Sequence, residues 1–94
     1  MAQYAVYSSG YAIFGVGATP QDAIADAMVW LEAGTDLSAI EDIGTSGRAE
    51  VDGQLYLRPC TEALAARVND DGGDQLYDVR ADGVLALYDE EEEA

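Results

Sequence analysis

The 94-residue sequence contains no histidine and no lysine, and its one cysteine is Cys60. Without imidazole there is no His-based triad, no His general base and no His metal ligand. Without lysine there is no Walker-type phosphate loop. A lone cysteine forms no internal disulfide, and with no histidine to activate it, it is a poor nucleophile, so Cys60 reads as a helix-start or core residue. The stretch "GVGATP" holds Gly15 and Gly17 but no third glycine and no strand-helix-strand context. It reads as a strand end entering a helix rather than a dinucleotide fingerprint. No apolar run is long enough to span a bilayer, and "MAQYAVYSSG" has neither the basic start nor the long apolar block of a signal peptide. The expectation is a cytoplasmic protein of a prokaryotic cell that is not an enzyme and uses no cofactor and no metal. Paired acids such as "DDGGD" (Asp70 to Asp74) suit a solvated, helix-ending turn better than a Ca²⁺ or Mg²⁺ site, because the EF-hand pattern is missing.

Positive charge is the scarcest resource. Four Arg face 19 acids, for a net charge of −15. Such a chain repels nucleic acid and anionic membranes, since phosphate contacts need cations. It attracts basic proteins and speeds encounter with them at low salt. Acid-rich, Lys-poor composition is also a habit of high-salt cytoplasms, and a GC-rich genome replaces Lys by Arg and raises Ala and Gly. This chain has 16 Ala and 10 Gly. Genome bias accounts for the missing Lys but not for fifteen excess acids.

Hydrophobic content of 49% supports a core. Length sets one small domain over residues 1–88, followed by an acidic tail at 89–94. Gln3–Tyr7 and Tyr11–Val16 are β-prone runs flanking Ser8-Ser9-Gly10, a hairpin. Tyr4, Val6 and Tyr7 do not alternate cleanly with polar residues. Either both faces are partly covered or the rings lie on a half-open surface. "ATPQDAIADAMVWLEAG" is the best helix, with Thr19 as N-cap, Pro20 in the first turn and Gly34 as stop. Ile24, Ala27, Met28 and Leu31 form its buried stripe, with Ala23 and Trp30 at the edge. Leu37, Ile40 and Ile43, three apart, suggest a helical turn or tucked loop. "RAEVDGQLYLRP" reads as a second hairpin about Asp52-Gly53, and "CTEALAARVNDDGG" as a second helix capped by Cys60 or Thr61, with Leu64 and Val68 buried. "DQLYDVRADGVLALY" is a third hairpin turning at Asp82-Gly83. The order is ββα-ββα-ββ, and the architecture expected is α+β: an antiparallel sheet of about six short strands with two helices on one face.

The acids recur in every exposed segment rather than in one block. Candidate partner-binding residues are Asp22, Asp26, Asp36, Glu41, Asp42, Asp70, Asp71, Asp74, Asp78 and Asp82, together with Asp89, Glu90 and Glu91 of the tail. Carboxylates four apart on a helix stand roughly 5–6 Å apart at Cβ, comparable to the charge spacing of a nucleic-acid backbone. A rigid fold carrying them can occupy a groove built for phosphates and collect its Arg and Lys residues. Six Tyr add flat, amphipathic interface area. The tail itself reads as a solvated run that steers a basic partner at long range.

Small size, missing chemistry, strong acidity and a compact αβ sheet together resemble the inhibitors encoded by phages and mobile elements, above all anti-CRISPR proteins that mimic DNA. This is a likeness of type across the whole chain. It implies a monomer or homodimer bound to a basic partner, a Cas effector subunit, at its DNA- or crRNA-handling surface, with no direct contact to nucleic acid or membrane. A second, local likeness covers Tyr4 to Leu31. Its hairpin-then-helix, opening on Gly17, Thr19, Asp22 and Ala23, is similar to HicB-type antitoxin domains and implies a protein-binding module. A halophile or mobile-element domain whose acids serve solubility alone is the remaining alternative.

Overall fold

The computed structural model describes residues 3–9, 12–30, 39–47 and 49–88. They form, in chain order, β1 (Gln3–Ser8), β2 (Ile13–Gly17), α1 (Pro20–Trp30), β3 (Ile40–Asp42), β4 (Leu55–Cys60), α2 (Glu62–Asp71), β5 (Tyr77–Val79) and β6 (Leu85–Leu87). The class is α+β and the order ββα-ββα-ββ holds. No helix among the described residues is long and apolar enough to cross a membrane.

The helices start where local chemistry directs. The Asp22 N–H donates to Thr19 Oγ1 at 3.1 Å, and the Leu64 N–H donates to Thr61 Oγ1 at 3.1 Å, so each first turn has one of its orphan donors satisfied by a side chain. α2 stops at Gly72, whose φ of 91° lets its N–H turn back to the Val68 carbonyl at 2.9 Å. Gly34, the expected stop of α1, and Leu31 lie outside the described residues.

The sheet runs β2-β1-β4-β6-β5, with β3 also paired to β4. The first and third hairpins form: β1 pairs antiparallel with β2, and β5 with β6. β4 then pairs antiparallel with β1 but parallel with both β3 and β6. The sheet is therefore mixed, not antiparallel throughout. The turn at Asp52-Gly53 does form, with the Gln54 N–H donating to the Val51 carbonyl at 3.2 Å and Gly53 at φ 89°. Its first arm is no strand, because side chains take up what a ladder would use. The Val51 N–H donates to the Tyr56 hydroxyl at 3.0 Å, and Glu50 turns inward to Arg58. Ile40–Asp42 fills the place beside β4 instead.

The helices lie on opposite faces of the sheet, not on one. Side chains alternate along β1. Val6 clusters with Leu57 and with Ala23 and Ala27 of α1, while Ala5 and Tyr7 cluster with Tyr56 and with Leu64, Ala65 and Val68 of α2. Both faces are covered, which is why Tyr4, Val6 and Tyr7 show no apolar-polar alternation. It also explains Ile40 and Ile43. Three apart in extended chain they face opposite ways, and each finds a core, so helix-like spacing arises without a helix. α1 packs through its small residues: Ala23 and Ala27 are fully buried, whereas Ile24 and Met28 are half-buried. Ala23 is thus central to the buried stripe rather than at its edge.

A bulge lies in β2. Val6 pairs with Gly15 and Tyr7 with Ile13, so Phe14 is the extra residue. The outer edge of β2 is blunted against further strand pairing: the Ile13 N–H donates to the Gly73 carbonyl and the Val16 N–H to Asp26 Oδ2, both at 3.0 Å.

Candidate functional site

The structure sorts the candidate acids into groups. Asp26 and Asp74 come together at the outer edge of β2, on the walls of a cavity of about 410 Å³ between α1 and the end of α2. Its apolar walls are Ile13, Phe14 and Val68, and Asn69 lies beside them. Asp26 is half-buried and anchored by the Val16 N–H. Gly73 makes the close approach possible, since a Cβ there would overlap the Ile13 carbonyl oxygen. Asp70 and Asp71, both exposed, close α2 next to this cavity. Asp74 also lines a second cavity of about 240 Å³, with Arg67, Gln75, Leu76 and Tyr88. Leu76 is 78% exposed and Tyr88 71%, and the Tyr88 N–H donates to the Leu76 carbonyl at 3.0 Å. Acids and exposed apolar side chains thus share one rim.

A second group surrounds Arg58. β3 ends on Asp42, which accepts the Gly44 N–H of the following loop at 3.1 Å; the β5–β6 turn carries Asp82, which accepts the Val84 N–H at 3.1 Å. Arg58 joins these loops by donating Nη1 hydrogens to the carbonyls of Gly44 (3.3 Å) and Gly83 (3.2 Å). Asp22 at the start of α1, Glu41 on β3 and Asp78 on β5 are exposed and belong to neither group. Asp36, Asp89, Glu90 and Glu91 lie outside the described residues. Among the described residues, no group of three or more acids or cysteines is placed to hold a metal ion.

Sequence reasoning missed the buried polar centre. Arg58 is 2% exposed and pairs with Glu50, itself 14% exposed, at 2.9 Å. Arg58 Nε also donates to the Tyr7 hydroxyl at 2.8 Å, and that hydroxyl donates to Glu50. Burial, then the hydrogen bond to Glu50, pushes the Tyr7 phenol well above its usual range. Burial works to lower the Arg58 pKa, but hydrogen bonds with Glu50 and Tyr7 outweigh it, and the net direction is up. The available signal was a cation inside the otherwise apolar run "LYLRPC".

Tyr7 gives a pH prediction. Above pH ~10 an unfolded chain sheds the phenolic proton that folded Tyr7 keeps. The folded state then binds more protons, so stability is fully present below pH ~10 and falls as pH rises beyond it, by up to about 1.4 kcal/mol per pH unit. Urea unfolding from pH 8 to 11.5 checks this. Tyr7→Phe lacks that component; an equal alkaline loss in wild type and variant counts against it.

α2 breaks a local rule at the candidate rim. Asn69, Asp70 and Asp71 close the helix, and no basic residue stands in its last turn. Acids there oppose the helix dipole. Replacing Asp70 and Asp71 with Asn raises stability by about 0.3–1 kcal/mol per site at low salt, and the gain shrinks as salt is added. Urea midpoints at two ionic strengths measure it; a lower midpoint in the variant shows that the acids make a stabilising contact instead. No protein-family model, no curated protein and no solved structure matches this chain.

Proposed function

We propose that this chain is a non-enzymatic acidic inhibitor of the DNA-mimic, anti-CRISPR type. It binds the basic, nucleic-acid-handling surface of another protein, a Cas effector subunit, and denies that surface to DNA or crRNA. The observation that carries the reading is that carboxylates are held in place by the backbone. Asp26, Asp42, Asp78 and Asp82 each accept a main-chain N–H, at 3.0–3.1 Å. Anions fixed before binding lose little freedom when a row of Arg and Lys meets them. The acids left at the end of α2 against the dipole fit the same role, because a stability cost retained on the surface is characteristic of functional sites.

The test is capture from a CRISPR-bearing lysate followed by competition. Tagged protein retains a nucleic-acid-binding protein, and added duplex DNA displaces it. Replacing Asp70, Asp71 and Asp74 together with Asn slows association about tenfold at low salt while leaving the fold intact, and the difference narrows as ionic strength rises. Biosensor association rates against salt read this directly; a rate unchanged by these substitutions and also by loss of Glu90–Glu93 moves the site to the first helix, at Asp22 and Asp26.

The β1–β2 hairpin leading into the Thr19-capped α1 favours a second reading, a HicB-type protein-binding module. The same competition separates the two. Duplex DNA leaves the partner bound in that case, and a purely solubilising role captures no partner.

A further inference from the structure

We infer that the cavity between the two helices at the β2 edge is a receptor for one arginine side chain of the protein partner, an anchor point within the acidic rim. The inference deepens the reading above and rests on it for the identity of the partner as a basic protein. The cavity's volume of about 410 Å³ is that of a small-ligand site. Its chemistry has two halves. Ile13, Phe14 and Val68 supply apolar wall for a hydrocarbon stem, and Asp26 and Asp74 supply negative charge for a cationic head. Among the described residues, no cationic side chain lines it.

Three features tune the site toward arginine. The β2 bulge makes Phe14 the unpaired residue of the strand, and bulges re-aim side chains next to sites. A half-buried aromatic residue lining the same cavity as two carboxylates suits a planar, weakly hydrated guanidinium, which stacks and forks, better than a compact ammonium. Asp26 is pre-set: Oδ2 is held at 3.0 Å by the Val16 N–H, so its charge is fixed before any ligand arrives. Asp74, exposed at the rim, is the gatekeeper carboxylate.

The experiment uses the full chain and small probes. Nα-acetyl-arginine amide is titrated while methyl signals of Ile13 and Val68 and ring signals of Phe14 are followed by NMR. Nα-acetyl-citrulline amide, of the same shape without the charge, is the control. The expected result is saturable shifts at those residues with a Kd of order 1 mM for the arginine probe. Citrulline binds at least about tenfold more weakly, and so does arginine to the Asp74→Asn variant. Asp26→Asn keeps the carbonyl that accepts the Val16 N–H and therefore the fold, and it weakens the probe likewise. Equal response to both probes, no response to either, or full affinity in both variants overturns the inference. Its failure is separable from that of the functional reading. A partner displaced by DNA alongside a cavity blind to arginine sinks the anchor alone. A cavity that takes arginine in a chain that captures no basic protein sinks the reading alone.

Discussion

Replacing Arg58 with Met lowers the stability of this protein by about 3–5 kcal/mol, the typical cost of breaking a buried ion pair from one side. Met matches only the aliphatic stem of Arg58, whose guanidinium reaches farther and brings donors that four acceptors depend on. These are the Glu50 carboxylate, the Tyr7 hydroxyl and the carbonyls of Gly44 and Gly83. Without the guanidinium, Glu50 keeps only the Tyr7 hydroxyl among these contacts, and it sits in surroundings too dry to hold a bare charge cheaply. The two loop carbonyls lose their shared clamp, so the segment after β3 and the β5–β6 turn separate. A domain of this size has about 5–15 kcal/mol in total, so the variant lies near the threshold of folding. Urea unfolding measures the loss, and a second substitution shows its origin. In Arg58→Met combined with Glu50→Gln, the stranded charge is gone and part of the stability returns. Arg58→Lys falls between, since an ammonium cannot reproduce the fork. A cost below about 1 kcal/mol for Arg58→Met, or no recovery in the double variant, rules the network out as a main support of the fold.

That network also marks the boundary of what the sequence makes legible. The caps at Thr19 and Thr61, the stop at Gly72 and the turn at Gly83 are each decided within four residues, and each is readable as such. The same holds for the two hairpins that formed, whose arms flank their turns. What was hidden depends on distant partners. Tyr7 and Arg58 are 51 positions apart, so no local pattern announces that they meet. The three-residue strand Ile40–Asp42 is too short to carry a period, and its parallel partner lies beyond the Asp52-Gly53 turn that draws the eye to an antiparallel hairpin. The opposite placement of the helices was foreshadowed only by the unbroken apolar run of β1. The candidate site divides the same way. Asp70, Asp71 and Asp74 stand out as "DDGGD", whereas the joining of Asp26 to Asp74 requires the chain after α2 to meet the outer edge of β2, which only the fold supplies. Gly73 in that same stretch reads locally as part of a helix-ending turn, and only the fold shows that a Cβ there would overlap the Ile13 carbonyl oxygen.

Gly15→Val is the second large effect, a destabilisation of about 3 kcal/mol or more, at the upper end of what overpacking costs. Gly15 lies under α1 at its nearest approach to the sheet. A Cβ there would stand 2.7 Å from the Ala27 Cα and 2.5 Å from the Ala23 carbonyl oxygen, and would overlap the Ala27 amide nitrogen. All three are backbone atoms of a helix, so no side-chain rotation relieves the clash and the whole helix must lift. Lifting α1 strips cover from Val6 and Leu57 and pulls Asp26 away from the Val16 N–H. The fold and the arginine cavity therefore fail together, and probe binding disappears before global unfolding is complete. Gly15→Ala shows the same direction at smaller size. Gly47→Ala is the control: nothing lies within 4 Å of its added methyl, and its stability is unchanged within about 0.5 kcal/mol. Comparable urea midpoints for Gly15→Val and Gly47→Ala contradict the close seating of α1 on β2. A large loss confined to Gly15 shows that one missing side chain in "GVG", long before the acids come into play, decides where the negative rim stands.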